Sequence, residues 1–300
     1  MRPQFFTGKT LPKKIRLGLQ VPQAGPNAFA SFVKDFVHHA HSAGFTKFWV
    51  GDHILMGGFA HRAKEHETFL EPLVLLSYIA GKLDNIELGT SILVVPYRNA
   101  FSLLKSITTL AHLTQHSFAV GIGAGWAEHE FDALGVPFRS RGQLTDEFCE
   151  LFTKLRDAPD EAWSVGQYEY GGSGFEPRLN TRTNIWVGGN SKAARRRTAR
   201  WGDAWQPTGL TVNAMREGIT ELGQLCMEAE RDPAQIEIGL RLRIRPTPDA
   251  SPQYIGDLLG PYIDLGVTDF LLEINTRERQ RALDSIDRVV ASAQMANLMA

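Results

Sequence analysis

Three glycines at alternate positions, Gly121, Gly123 and Gly125, lie in the segment AVGIGAGWAEHEFDALGVPF, which covers residues 119–138. They directly follow a short apolar run and precede a predicted helix. The dinucleotide fingerprint of Rossmann folds needs a further glycine three residues after the second, and Trp126 occupies that position here. The spacing therefore argues against a dinucleotide fingerprint. It indicates a strand end without side chains, where a flat or phosphorylated ligand can approach the backbone.

A second glycine-rich segment, VGGNSKAARRRTAR, begins with Gly188 and Gly189 after another apolar run. Asn190 or Ser191 can cap the helix that is predicted to follow. The free N–H groups and the positive dipole end of such a helix suit a phosphate group. We therefore expect the first glycine-rich segment to offer a backbone wall for a ring, and the second to bind an anion.

Four arginines, Arg195, Arg196, Arg197 and Arg200, follow the second glycine-rich segment. Two interpretations are open for this cluster. It is either the solvated face of the predicted helix or a group of charges that attracts a polyanionic cofactor tail.

Asp52 and His53 end a third apolar run, KFWVGDH, and supply the titratable groups of the predicted site. Histidine suits proton transfer because its ordinary pKa of about 6.5 lies near neutral pH. The pair either takes part in proton transfer beside a cofactor or caps the strand and ties it to the following loop. Trp126 likewise either contacts the ligand or belongs to the core. The histidines lack the HExxH spacing of zinc sites, so no metal site is predicted.

The composition narrows the possible classes of protein. A chain of 300 residues that is 43% hydrophobic can bury a large core, and its net charge of −1 argues against nucleic acid or a membrane surface as a partner. Cys149 and Cys226 are predicted to be unpaired packing residues in a reducing compartment. The N-terminus lacks the apolar core of a signal peptide, and no run approaches the roughly 18 apolar residues of a membrane span. We therefore expect a cytoplasmic protein whose partner is a small-molecule substrate.

Short apolar runs alternate with segments of helical periodicity, which is typical of parallel strands joined by right-handed crossovers. Eight strand–helix units in one chain of this length predict a single domain, 1–300, with the (β/α)8 TIM barrel fold; an open doubly wound sheet is the alternative. Residues 157–183 interrupt the alternation between the fourth and fifth units and predict an insertion with a hairpin around Gly166. The predicted strands cover residues 15–20, 47–53, 86–95, 118–125, 184–189, 203–208, 236–244 and 269–274.

The active site of such a barrel lies where the strands end and the following loops begin. The polar and glycine residues at those positions therefore form a site prediction. They are Asp52, His53, Thr90, Ser91, Gly123, Ala124, Gly125, Trp126, Gly188, Gly189, Asn190 and Gln206.

Four segments, in this order, resemble the luciferase-like flavin and deazaflavin oxidoreductases, particularly the branch that uses coenzyme F420. They are GFTKFWVGDH, EPLVLLSYIAGKLDNIELGTSILVVPYRN, GIGAGWAEHEFDALGVPFRSRGQLTDEF and IWVGGNSKAARRRTARWGDAWQP. The resemblance implies a (β/α)8 barrel that forms a homodimer. It also implies a coenzyme F420 cofactor, with FMN as the alternative, whose ring lies across the C-terminal ends of the strands.

The resemblance implies catalytic roles for Asp52 and His53, which would flank the reactive edge of the ring. Ser91 and Ile92 would back the ring as cofactor-binding residues, and the peptide bond between them would be cis. Independently, small residues at 89–91 in a strand position predict a bulge there rather than a regular ladder.

The remaining cofactor contacts are also implied by the resemblance. Gly188, Gly189 and Asn190 would hold the phosphate group. Proteins of this family usually have an arginine where this chain has Ser117, which puts any role of that arginine in doubt. The residues expected to line the phosphate-bearing chain of the cofactor are Gly123, Ala124, Gly125 and Trp126.

The predicted function is that of an oxidoreductase that transfers hydride between a deazaflavin and a small organic substrate, with His53 exchanging the accompanying proton. An FMN-dependent monooxygenase of the same family is one alternative. A non-catalytic flavin-binding barrel is another, since the fold alone does not separate these functions. The short insertion at 157–183 favours the deazaflavin branch, because the monooxygenases of this family tend to carry longer ones.

Overall fold

Parallel strands close into a barrel in the structure, a computed structural model that describes residues 14–55, 68–114, 117–179, 182–274, 276 and 278–299. Around the barrel the order is β1, β2, β3, β5, β8, β9, β10, β11 and back to β1, and each neighbouring pair is parallel. These labels denote β1 Arg16–Gln20, β2 Lys47–Val50, β3 Glu87–Thr90, β4 Leu93–Val94, β5 Ser117–Gly123, β6 Ala162–Val165, β7 Tyr168–Gly171, β8 Thr183–Gly188, β9 Ala204–Gln206, β10 Glu237–Ile244 and β11 Asp269–Ile274. The (β/α)8 TIM barrel prediction is confirmed, and the open-sheet alternative is wrong because the ladder closes on itself.

Helices lie between consecutive barrel strands, as the alternation of the sequence predicted. Local chemistry fixes several of their starts: Ser191 and Thr211 accept hydrogen bonds from the N–H groups of Ala194 and Ala214. Among the described residues, no helix is long and apolar enough to cross a membrane. The helices are α1 Ala30–Ser42, α2 Pro72–Ala80, α3 Ala100–Thr114, α4 Glu128–Leu134, α5 Arg141–Asp157, α6 Lys192–Trp201, α7 Val212–Glu228, α8 Tyr254–Ile263 and α9 Arg279–Met295.

Two tryptophans fill the middle of the barrel. The rings of Trp49 and Trp186 meet edge to face with centroids 5.5 Å apart. Glycines on other strands leave the room that these rings need: a Cβ added to Gly89 would lie 2.2 Å from the Trp49 ring, and one added to Gly239 would lie 2.7 Å from the Trp186 ring. The interior is therefore solid at this level, and a ligand can enter only at an end of the barrel.

A buried ion cluster lies at the N-terminal end of the strands. Lys47 Nζ lies 2.6 Å from the Asp269 carboxylate, and Arg16 Nε lies 2.9 Å from the same carboxylate. Lys47 also lies over the rings of both tryptophans, 4.9 and 4.7 Å from their centroids. Removing one member leaves the remaining buried charges less fully compensated, so these residues serve stability.

The third predicted strand is divided into β3 and β4, which confirms the predicted irregularity. The peptide bond between Ser91 and Ile92 is cis, as the resemblance implied. Thr90 Oγ1 donates to the Gly121 carbonyl of β5 at 2.8 Å. Residue 121 must be glycine here, because an added Cβ would lie 1.8 Å from the Thr90 carbonyl oxygen.

The insertion contains the predicted hairpin, formed by the antiparallel strands β6 and β7. Gly166 forms the turn with a positive φ of 54°, a conformation that favours glycine. Trp163 stacks on Phe101 of α3, with centroids 6.4 Å apart, and Tyr168 meets the same ring edge on at 5.5 Å. Aromatic packing thus holds the insertion against α3.

Candidate active site

A cavity of about 750 Å³ opens where the barrel strands end at their C-terminal side. This volume falls within the range of cofactor and small-ligand sites. The cavity brings together predicted residues from five separate strand ends. Those that line it are Asp52, His53, Ser91, Ile92, Gly123, Ala124, Gly125, Trp126, Gly188, Gly189 and Gln206.

A carboxylate from another barrel unit holds the His53 imidazole. His53 Nδ1 lies 2.8 Å from Oε2 of Glu130, in the first turn of α4. Because a carboxylate only accepts hydrogen bonds, Nδ1 carries the proton and Nε2 of the neutral ring keeps its lone pair. The His53 ring also meets Phe69 and Trp126 edge to face, with centroids 5.3 and 5.8 Å away. Trp126 is 59% exposed, so its interpretation as a core residue is wrong.

Glu130 is fully buried and accepts four hydrogen bonds. Oε1 accepts from the Ile54 and Leu55 N–H groups at 2.5 and 2.8 Å, and Oε2 accepts from the Tyr97 hydroxyl at 2.7 Å in addition to His53. Burial alone raises the pKa of Glu130, but these hydrogen bonds outweigh burial and hold the pKa below its ordinary value. Glu130 is therefore ionised at neutral pH, and it fixes both the His53 ring and the backbone that follows it.

The Asp52 carboxylate is buried and bound by Arg98. Arg98 Nη1 and Nη2 lie 2.6 and 3.1 Å from its oxygens, and the Val94 N–H donates to Oδ2 at 2.9 Å. Burial raises the pKa of Asp52, and the hydrogen bonds from Arg98 and Val94 oppose that shift. These contacts are what the strand-tying interpretation expects of Asp52, because they join the end of β2 to β4. A catalytic role for Asp52 stays a prediction.

The glycine-rich strand ends make room for Ile92. A Cβ added to Gly123 would lie 2.8 Å from Ile92 Cδ1, and one added to Gly188 would lie 2.3 Å from Ile92 Cγ2. The expected backbone wall is therefore faced in part by the Ile92 side chain, which itself lines the cavity. Gly125 has a positive φ of 78°, so its conformation also favours glycine.

The N-terminus of α6 lies at the cavity, where the anion site is predicted. Ser191 lines the cavity and caps the helix, since its Oγ accepts from the Ala194 N–H at 3.2 Å. Asn190 is not among the lining residues. Its carboxamide exchanges two hydrogen bonds of 2.9 Å with the backbone of Thr208 and so joins the loops after β8 and β9. Phosphate binding by Asn190 stays a prediction that this geometry does not favour.

Arginines of α6 pair with carboxylates on neighbouring helices. Arg195 Nε lies 2.8 Å from Glu221 of α7, and Arg197 Nε lies 2.7 Å from Asp146 of α5. These pairs neutralise the two guanidinium groups within the helical layer. They argue against a charge group for a cofactor tail. The solvated-face interpretation is wrong for Arg197, which is buried and lines the cavity.

Several polar residues that line the cavity or contact its lining residues were not predicted. Arg241 of β10 donates to the Ser91 carbonyl at 2.8 Å and to Glu273 of β11 at 2.9 Å. The alternation in EIGLRLRI could have indicated that Arg241 and Arg243 face the barrel interior, because a strand repeats every two residues. The sequence indicates Glu130 only weakly, as an acidic residue in the first turn of the helix that follows a glycine-rich strand end.

The model of the luciferase-like monooxygenase family matches residues 14–283. An uncharacterised protein of Mycobacterium tuberculosis (strain ATCC 25618 / H37Rv) is 26% identical over 267 residues, which are 84% of this chain and 90% of that protein. Two solved structures share the barrel fold. An F420-dependent secondary alcohol dehydrogenase in complex with an F420–acetone adduct has a TM-score of 0.78 at 12% identity, over 93% of this chain and 99% of the other. A riboflavin lyase with modified FMN and the substrate riboflavin has a TM-score of 0.77 at 14% identity, over 96% and 93%. Since the family model covers most of its length, the chain belongs to the luciferase-like monooxygenase family.

Proposed function

We propose that the protein is a coenzyme F420-dependent oxidoreductase that transfers hydride between the deazaflavin and a small organic substrate. The observation that carries the proposal is the His53–Glu130 pair at the wall of a cavity of about 750 Å³. A histidine oriented by a buried carboxylate, with one ring nitrogen left for a proton, is the arrangement that acid–base chemistry beside a cofactor requires.

The residues around the cavity fit a flavin or deazaflavin. The glycine-rich strand ends admit no Cβ, Ile92 offers an apolar surface for a ring, and Ser191 caps a helix whose N-terminus suits a phosphate group. Gln206 adds a buried carboxamide with no partner among the described residues. When bound, the deazaflavin supplies the ring carbon that gives or accepts hydride.

We assign to His53 the transfer of the proton that accompanies the hydride. In alcohol oxidation its Nε2 accepts the proton of the substrate hydroxyl, and in the reverse direction the protonated ring returns it to the carbonyl oxygen. Glu130 stabilises the imidazolium at 2.8 Å and keeps Nδ1 from competing for the proton. We assign Asp52 a positioning role, since its contacts with Arg98 and Val94 hold β4 beside the cavity.

The structural comparisons support the class of cofactor. The alcohol dehydrogenase with the F420–acetone adduct favours the deazaflavin and an alcohol or carbonyl substrate. The riboflavin lyase with modified FMN, and the monooxygenase name of the family, favour the second candidate, an FMN-dependent monooxygenase. We also propose a cytoplasmic homodimer, on the resemblance alone.

Thermal unfolding with added cofactor tests the choice between the two. Coenzyme F420 at about 100 times its dissociation constant should stabilise the protein by roughly 2.7 kcal/mol, and by more than FMN or a nicotinamide nucleotide at equal concentration. A shift of the melting temperature with FMN and none with F420 would favour FMN over the deazaflavin as the cofactor. Absence of a shift with either would refute a cofactor of this class.

Turnover of the His53→Ala variant tests the role of the histidine. We expect turnover to fall by about 10²- to 10⁴-fold while the cofactor Kd stays within a few fold. His112→Ala, a change of the same kind on the exposed side of α3, is the matched control and should leave both quantities unchanged. Full turnover in His53→Ala would show that the proton is exchanged with solvent and not with His53.

A further inference from the structure

Gln206 ends β9 with a buried side chain that has no hydrogen-bond partner within the described parts of the chain. Trp205 before it faces outward, where its Nε1 donates to the Gly189 carbonyl at 2.9 Å, so Gln206 faces the barrel interior and lines the cavity. Gln206 is 2% exposed, and neither Oε1 nor Nε2 has a partner among the described residues. A buried amide in this state destabilises a protein unless a bound group satisfies it.

Two more residues that line the same cavity each have a buried polar atom with no partner among the described residues: Oε1 of Gln20 and Nε of Arg241. The rest of each side chain is fixed by the protein. Gln20 Nε2 donates to Gln23 Oε1 at 3.1 Å, and the Arg241 Nη atoms donate to the Ser91 carbonyl and to Glu273 at 2.8 and 2.9 Å. One acceptor and one donor are therefore held in place with no described residue as their partner.

Gln23 shows how a glutamine with a structural role is bound in the same cavity. It is also 2% exposed, but its Nε2 donates to the Gly51 and Leu70 carbonyls at 2.9 and 3.0 Å, and its Oε1 accepts from the Gly51 N–H. Burial in this barrel does not by itself leave an amide without partners. The condition of Gln206 is specific to its position.

The unpartnered atoms select the chemistry of the ligand. Gln206 Nε2 and Arg241 Nε are donors, whereas Gln206 Oε1 and Gln20 Oε1 are acceptors. An anion would use only the donors, and an alkyl group would use none of the four. A ring edge with the order carbonyl, N–H, carbonyl needs a donor, an acceptor and a donor, and a carboxamide can pair side by side with such a cyclic amide.

We propose that Gln206, supported by Gln20 and Arg241, binds the pyrimidinedione edge of the cofactor ring. Gln206 Oε1 accepts from the ring N–H, and Nε2 donates to an adjacent ring carbonyl. The inference rests on the proposed function, but deazaflavins and flavins share this edge, so it holds for either cofactor.

Calorimetric titration can isolate this contact with a variant and a modified ligand. The probes are FMN, the 8-hydroxy-5-deazariboflavin ring system of F420, and the N3-methyl derivative of each, which lacks the ring N–H. Gln206→Leu should weaken the Kd of the parent ring by about 5- to 150-fold, since two neutral hydrogen bonds are lost. N3-methylation should weaken binding to the wild type by a similar factor and should have no further effect on Gln206→Leu.

The stability of the ligand-free protein separates binding from a structural role. Gln206→Leu should melt at the wild-type temperature or above it, because the variant no longer buries an unpartnered amide. Gln143→Leu makes the same substitution on the exposed face of α5, where Gln143 donates to Glu147, and should leave every Kd unchanged.

Three kinds of result would overturn the inference while the proposed function stands. They are an equal loss of affinity on N3-methylation in both proteins, a Gln206→Leu variant that melts lower and keeps its Kd, and a change confined to the substrate KM. If the wild type binds none of these rings, the proposed function fails and this inference fails with it.

Discussion

The substitution Glu130→Gln tests how the active site is assembled, because it changes the charge of one buried group with almost no change of shape. Two of the four donors to Glu130 are the backbone N–H groups of Ile54 and Leu55, which cannot turn into acceptors. The other two, His53 Nδ1 and the Tyr97 hydroxyl, can accept as well as donate. The glutamine oxygen should therefore face the backbone pair, and its NH₂ group should face His53 and Tyr97.

This orientation reverses the tautomer of His53. Nδ1 must accept from the glutamine NH₂, so the ring proton moves to Nε2, and the lone pair that faces the cavity is lost. Turnover should then fall by about 10²- to 10⁴-fold, the usual contribution of a general base. The cofactor Kd should stay within a few fold, because Glu130 is not among the residues that line the cavity.

The cost to stability follows from the same contacts. A hydrogen bond to a charged group contributes about 1.5 to 3 kcal/mol and a neutral one about 0.5 to 1.5 kcal/mol. All four bonds become neutral and two of them also reverse direction, while the uncharged amide is less costly to bury, so we expect a loss of about 2 to 4 kcal/mol in the free energy of unfolding. A typical domain has about 5 to 15 kcal/mol, and the variant should remain folded.

Long-range ¹H–¹⁵N spectra of histidine-labelled protein report the tautomer directly, and turnover is measured on the same sample. Glu128→Gln, at an exposed position of the same helix, is the matched control and should behave like the wild type. A variant with Nε2 protonated and full turnover would show that His53 Nε2 is not the base. A variant with Nδ1 still protonated would refute the orientation of the amide.

Three further measurements follow from the packing and the titrating groups. Ionised Glu130 stabilises the fold, because its hydrogen bonds outweigh burial and place its folded-state pKa below the ordinary value of about 4.5. Its contribution to the free energy of unfolding is complete above pH 4.5 and is lost as the pH falls through the folded-state pKa. In urea titrations, the free energy of unfolding should therefore fall more steeply at acid pH for the wild type than for Glu130→Gln. Equal dependence on pH in the two proteins would contradict this. Cys149 and Cys226 should resist alkylation near neutral pH until the protein unfolds, since burial raises the pKa of both thiols, that of Cys226 to about 11. Mass spectrometry of the folded protein after treatment with an alkylating reagent tests this, and a labelled cysteine would contradict it. Gly188→Ala should lower the free energy of unfolding by about 1 to 3 kcal/mol, because the added methyl group crowds Ile92. In the double variant with Ile92→Ala the loss should be smaller than the sum of the two single losses, and strictly additive losses would refute this.

The barrel could be predicted because each of its strands is a short apolar run and each connection has helical periodicity. The limits of the strands were less predictable. The second strand was expected to reach residue 53, but β2 ends at Val50, because the Gly51 N–H donates to the side chain of Gln23 and leaves the ladder. A side chain nearly thirty positions away thus ends the strand, and local spacing carries no trace of it.

The candidate site divides in the same way. Positions at strand ends, such as His53 and Gly188, could be predicted because barrel geometry brings all those ends to one cavity. Glu130 and Arg98 could not, since their contacts with His53 and Asp52 join residues 77 and 46 positions apart. Sequence left both Asn190 and Ser191 as caps, and the structure selects Ser191, whose Oγ bonds the N–H three residues later.

The two sides of the cavity differ in how their polar groups are satisfied. On the side of His53 the carboxylates of Glu130 and Asp52 are bound by the protein itself, so the proton-handling group is oriented before any ligand arrives. Across the barrel Gln206 and Arg241 have polar atoms without partners in the part of the chain that the structure describes. A substitution on the first side must therefore lower stability along with activity, because it removes bonds that the fold uses. A substitution of Gln206 should weaken ligand binding at no cost to the fold, because the bonds it removes form only with the ligand.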